Sequence, residues 1–136
     1  MITVVASREG LIGGLTAAGL TIREDSLFVA LPARRALWRT VRVVRRPTAT
    51  SARSVICPVL DLGPWFPFRS YPDDEAYVFG GARPRAETMR GQVREGDAKK
   101  YPINGAGIDL SDAVIEALGF RPEEWGLREV EWEFVE

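Results

Sequence analysis

The chain has 136 residues, 46% of them hydrophobic, with four tryptophans, which suits one compact domain (1–136) with a substantial core and is short for two. Eighteen basic residues against nineteen acidic ones leave almost no net charge, so no global field would draw in nucleic acid or an anionic membrane. The chain has no histidine, which excludes Ser-His-Asp and Cys-His catalysis and takes away the commonest transition-metal ligand; no metal and no cofactor are implied.

The N-terminal "MITVVAS" reads as a short strand, and "REGLIGGLTAAGLT" breaks it with four glycines between Gly10 and Gly19. That start has no basic n-region, and no window reaches the ~18 apolar residues of a membrane span. The expected location is therefore cytoplasmic on synthesis, with neither an export signal nor a membrane anchor. A second strand, Ser26 to Pro32, is closed by its proline. A third, Leu37 to Arg46, alternates Val41 and Val43 against Arg42. Arg34, Arg35, Arg39, Arg42, Arg45 and Arg46 cluster here, as a solvated strand face or as a surface for an anionic partner. Nucleic acid is disfavoured, because the acidic face from Glu129 to Glu133 offsets the cluster.

After a turn at "PTATSAR", the run "SVICPVL" from Ser54 to Leu60 is apolar on both faces, as in a strand buried on both sides. Pro58 lacks a ladder donor and points to an edge or crossover position. Cys57, the lone cysteine, reads as a core thiol. From Gly63 to Gly107 periodicity disappears, with five prolines and seven glycines interleaved with aromatics. An ordered, surface-laid loop with a mobile tip near "QVREGDAKK" is expected. Order returns at Ile108 to Leu110, a short strand, followed by a helix with Ser111 as N-cap and Gly119 as its C′ residue. The closing "LREVEWEFVE" alternates Val130, Trp132 and Phe134 against glutamates, as a half-buried strand does.

The succession "GLTAAG" (Gly14 to Gly19), "VALP", "VRVV", "CPVLDLGPW" (Cys57 to Trp65), "GIDLSDAVIEALGF" (Gly107 to Phe120) and "VEWEF" resembles the RlpA-like double-psi β-barrel family, in its phage- or prophage-type stand-alone form. The resemblance spans nearly the whole chain. It implies a mainly β fold, a six-stranded double-psi barrel with one short helix, with residues 66–101 as a long loop insertion. In this family and in related barrels such as expansins, family-45 cellulases and the MltA-type lytic transglycosylases, the aspartate of the I-D-L-S-like motif faces a polysaccharide groove. Here it is Asp109. Asp61, in the D-x-G-P turn, is similar to the second acid of such sites. Lytic members also carry an acid in the loop after the first strand, near Glu9 here, and a histidine where this chain has Phe28.

The resemblance thus implies a barrel that engages peptidoglycan or another polysaccharide, as a lytic transglycosylase or glycosidase with Asp109 as acid/base and Asp61 as the partner that tunes it. Each aspartate also has a scaffold reading, Asp61 bonding its own turn and Asp109 orienting the loop before Ser111. Trp65, Phe68 and Tyr71 are candidate platforms for sugar faces, and Arg83 and Arg85 are candidates to meet a lactyl carboxylate or a phosphate. The alternative is a non-catalytic interaction module of a phage virion or other assembly, with the segment after Trp65 as docking arm. Such a protein is expected in the virion or released by lysis.

Overall fold

The computed structural model describes residues 1–65, 73–92 and 102–135. Six strands close into a barrel: β1 (Ile2–Arg8), β2 (Val29–Leu31), β3 (Thr40–Thr48), β4 (Ser51–Leu62), β5 (Ile108–Leu110) and β6 (Arg128–Phe134). Around the barrel they run β1-β5-β2-β4-β3-β6 and back to β1. The β1/β5 and β2/β4 pairs are parallel and the other four antiparallel. The molecule is thus mainly β, as the sequence implied.

Alternation decides what fills the barrel. Val4 and Ala6 of β1, Val29 and Leu31 of β2, Val41 and Val43 of β3, Ile108 and Leu110 of β5, and Val130 and Trp132 of β6 all join one buried cluster. Val55 and Phe134 pack against it, and Cys57 and Val59 belong to it, so the expected core positions are all in place. Burial pushes the Cys57 thiol up to about 12, which makes it a packing residue and no nucleophile. Pro58 lies one residue before β4 begins to pair with β2, at the crossover position its missing N–H suggested.

Helix α3 (Asp112–Ala117) packs Val114 and Ile115 into the same buried cluster. Ser111 Oγ accepts from the Val114 N–H, and Gly119 closes the helix at φ +94°, where a side chain would be strained. Asp112, in the first turn, also receives both prongs of the Arg8 guanidinium at 2.8 and 2.9 Å, which ties β1 to α3. The sequence pointed to this helix alone. The long segment holds two more, α1 (Glu75–Val78) and α2 (Arg85–Thr88), each a single turn too short to leave a periodic signal. The expected mobile tip at 92–100 lies outside the described residues, apart from Gln92. Among the described residues no helix is long and apolar enough to cross a membrane.

The arginine cluster is largely an ion-paired strand face. Arg42 reaches Glu133 at 3.1 Å and Arg46 reaches Glu131 at 3.0 Å across the β3/β6 ladder. The Arg39 guanidinium lies 4.4 Å above the Phe134 ring and the Arg45 one 3.6 Å above Phe120.

Candidate active site

Strand register assembles one row of side chains. Ser7 of β1 stands opposite Asp109 of β5, Asp109 opposite Ala30 of β2, and Ala30 opposite Asp61 of β4. Matched ladder positions share a face. Their neighbours Ala6, Ile108, Leu110, Val29 and Leu31 point into the core, so this row lies on the outside of the barrel. A register shift makes it possible. Val29 pairs with Val59 but Ala30 pairs with Asp61, and the extra residue, Leu60, turns Asp61 outward. Without that bulge Asp61 would have the parity of the core. The charge at the end of an apolar run is thus a residue that the strand ejects.

Asp61 and Asp109 are two strand spacings apart, roughly 10 Å between backbones, and the residue between them is alanine, which leaves the space above it to the two carboxyls. Gly63 closes the other side of Asp109. A Cβ on Gly63, whose φ is +155°, would stand 2.8 Å from Asp109 Oδ2, so only glycine fits there.

The glycine-rich segment from Gly10 to Asp25 forms the rim. It folds back on itself through the Leu15–Thr21 bridge and through bonds between Gly13, Gly14 and Ile22. Ile22, Phe28 and Leu60 form a separate buried cluster beneath it. Phe28 is fully buried in this cluster. The Ala17 N–H donates to Asp61 Oδ1 at 2.8 Å, and Asp61's own neighbour Leu62 donates to the same oxygen at 2.9 Å. Asp61 therefore does scaffold work while lining the site.

Glu9, two residues past Ser7 and so on the same face, has its N–H on the Leu110 carbonyl at 2.9 Å. With Ser7, Asp61 and Asp109 it lines a cavity of about 260 Å³, whose walls include Leu11, Pro64, Trp65, Ile103 and Asn104. Burial and then the charges of Asp61 and Asp109 push Glu9 up to about 10, so it is neutral at physiological pH. Asp109 is pushed up to about 7, chiefly by burial, with a contribution from the Asp61 charge; the hydrogen bond from Ser7 Oγ to Asp109 Oδ1 opposes the rise. A carboxyl that is half protonated near neutral pH can give a proton and take one back. Among the described residues no group of three or more acidic or cysteine side chains is arranged to hold a metal ion.

Ser7→Ala removes the one influence that favours the Asp109 anion. The Asp109 titration is then expected to move upward from about 7, as followed by carboxyl carbon NMR; an unchanged or lowered midpoint would disconnect the two residues.

The other expected site residues separate. Trp65 is on the cavity wall, 39% exposed. Phe68 and Tyr71 lie outside the described residues. Arg83 donates to the Thr3 carbonyl at 2.8 Å and pairs with Glu87, which places it four residues, roughly 13 Å, along β1 from Ser7. Arg85 sits at the start of α2 with its N–H on Asp74. Neither arginine lines the carboxyl cavity, because α1 and α2 carry them away from it. Glu9 is the member that residue patterns underrated; its signal was the parity with Ser7 continued past the strand end.

Among known families, residues 1–128 match the model of a domain of unknown function. No curated protein matches the chain.

Proposed function

The chain belongs to that family, DUF8814, and we propose that it is a glycan-cleaving barrel of the RlpA-like double-psi kind, with Asp109 as acid/base and peptidoglycan as its substrate. The observation that carries this reading is the placement of Asp109, poised near 7, in one cavity with Asp61 and Glu9. The closed six-stranded barrel with two parallel pairs supports the fold reading.

The chemistry follows from the carboxyls. Protonated Asp109 donates from Oδ2 to the glycosidic oxygen, the bond from that oxygen to the anomeric carbon breaks, and positive charge develops on the sugar ring. The Asp61 carboxylate, fixed by two backbone N–H groups, stabilises that charge. Ionised Asp109 then takes the proton of the hydroxyl that attacks the anomeric carbon. In a glycosidase that hydroxyl is water; in a lytic transglycosylase it is the sugar's own. Either way Asp109 ends protonated, ready for another round. Trp65 and Leu11 supply apolar surface for the sugar faces.

Purified sacculi incubated with the protein and resolved by liquid chromatography and mass spectrometry are expected to release muropeptides. Anhydro ends mark the transglycosylase and reducing ends the glycosidase. No release between pH 4 and 8 would overturn the catalytic reading.

One observation favours the second reading, an interaction module of a virion or other assembly. Leu11, Ile12, Leu15 and Leu20 are all exposed on the glycine-rich rim, an apolar surface of the kind that protein partners cover. In that case sacculi stay intact and the protein is recovered in a stable complex through the rim.

A further inference from the structure

We propose that Arg45, Arg53 and Arg128 form a second site, which binds a phosphomonoester group. It is separate from the carboxyl cavity, which none of the three lines, and it does not depend on the glycan-cleaving reading.

Register brings the three together. Val41 and Val43 of β3, Val55 and Cys57 of β4, and Val130 and Trp132 of β6 face the core. Arg45, Arg53 and Arg128 continue the same alternation one step beyond these apolar positions. Arg45 and Arg53 stand directly opposite each other on the β3/β4 ladder, where like charges destabilise a pair. Their side chains run onto the turn that follows α3. Arg45 Nη1 donates to the Leu118 carbonyl at 3.0 Å. A Cβ on Gly119 would stand 2.9 Å from Arg53 Nη1, so that guanidinium lies against the glycine. The guanidinium carbons of Arg45 and Arg128 are 3.6 and 6.0 Å from the centre of one ring, that of Phe120. Residues 118 to 120 thus gather arginines from three strands.

The fold leaves their charge unanswered. Arg42 and Arg46, on the outer face of β3, are each paired with a glutamate of β6. Arg45, Arg53 and Arg128 have no acidic partner among the described residues. Nearby acids are committed elsewhere, Asp112 to Arg8, and Glu123 and Glu124 to Arg121 at 2.6 and 3.9 Å. Glu116 of α3 and Glu129 of β6 are exposed and pair with none of the three. Burial and the charges of Arg53 and Arg128 hold Arg45 below the ordinary arginine range, as crowded cations do. Trp125 adds an unused donor. Its ring meets Phe120 edge to face at 5.1 Å, and its Nε1 is buried without a hydrogen-bond partner among the described residues.

What is unspent around Phe120 is therefore cation or donor, which suits an anion. A guanidinium presents a planar fork that takes two oxygens at once, so a carboxylate satisfies one fork. A phosphomonoester offers three terminal oxygens and close to two charges, enough for forks arriving from β3, β4 and β6.

Arginine Nε–H and backbone amide NMR of the full chain, titrated with inorganic phosphate at constant ionic strength, reads the site directly. The shifts are expected to saturate and to centre on Gly119, Phe120 and the three arginines. Arg53→Gln and Arg128→Gln, both at exposed positions, should each weaken phosphate binding about tenfold. Arg42→Gln, whose arginine is already paired with Glu133, should leave it unchanged. Glycerol phosphate should bind as tightly as the free ion, and acetate and dimethyl phosphate about tenfold more weakly or worse. No saturable shift, or an equal loss in the Arg42 variant, would mean diffuse surface charge and overturn the site. Binding of the free ion alone, or of acetate or dimethyl phosphate as tightly as phosphate, would overturn the phosphomonoester as its ligand.

Discussion

Asp109→Asn is expected to reduce glycan cleavage by roughly 10²- to 10⁴-fold, the usual contribution of a positioned acid/base. The amide keeps the shape of the side chain and still offers Oδ1 to Ser7, so the loss would be chemical and not architectural. Stability gives a second readout of opposite sign. The folded state holds the Asp109 proton up to about 7, whereas an unfolded chain releases it near the ordinary aspartate value. Between those limits the native state binds more protons, so stability contributed by protonated Asp109 is present below the unfolded value and is lost as pH rises through about 7. The asparagine variant carries no such dependence. It should therefore be more stable than wild type above neutral pH, with a flatter stability profile across the window. An active variant, or one that merely unfolds, would remove Asp109 from the centre of the site.

Trp132→Ala should lower unfolding free energy by about 3–5 kcal/mol, because a buried aromatic leaves a cavity that a closed barrel cannot collapse into. Trp132 is only 2% exposed and meets Tyr77 and Phe134 edge to face, with ring centroids 5.9 and 5.2 Å apart. Its indole N–H donates to the Tyr77 hydroxyl at 2.8 Å, and that hydroxyl donates to the Gly107 carbonyl at 2.8 Å. The chain of bonds ends two residues before Asp109, so this substitution should also loosen the acid's strand. Urea denaturation measures the first effect. Trp132→Phe, which keeps most of the volume and loses the donor, should cost about 1 kcal/mol. A loss below that for the alanine variant would mean that the closing strand does not pack as described.

The strands could be read from the sequence because each carries its own alternation. Val41 and Val43 against Arg42, and Val130, Trp132 and Phe134 against glutamates, predict the inward face wherever the strand starts. Asp61 and Asp109 were reached through motif resemblance, and their meeting on one face depends on the Leu60 bulge, which leaves no mark in the alternation pattern because the run around it is apolar throughout. Glu9 was hard to weigh for a related reason. Its importance lies in two carboxyls more than fifty and ninety residues away along the chain, and local spacing says nothing about such neighbours. Arg83 and Arg85 look available to a ligand in the sequence, yet short helices without periodicity carry them to Thr3, Glu87 and Asp74.

Barrel closure fixes when this site can exist. β1 has no partner until β5 and β6 are available, since its ladders run Ala6 to Ile108 and Ile2 to Trp132. During synthesis the first strand must therefore wait, unpaired, for the last, and pairings this distant are slow to form. Ser7 and Glu9 leave the ribosome about a hundred residues before Asp109. The carboxyl cavity is consequently incomplete on a nascent chain until β5 and β6 have emerged, and Ser7 and Asp109 meet only as the barrel closes.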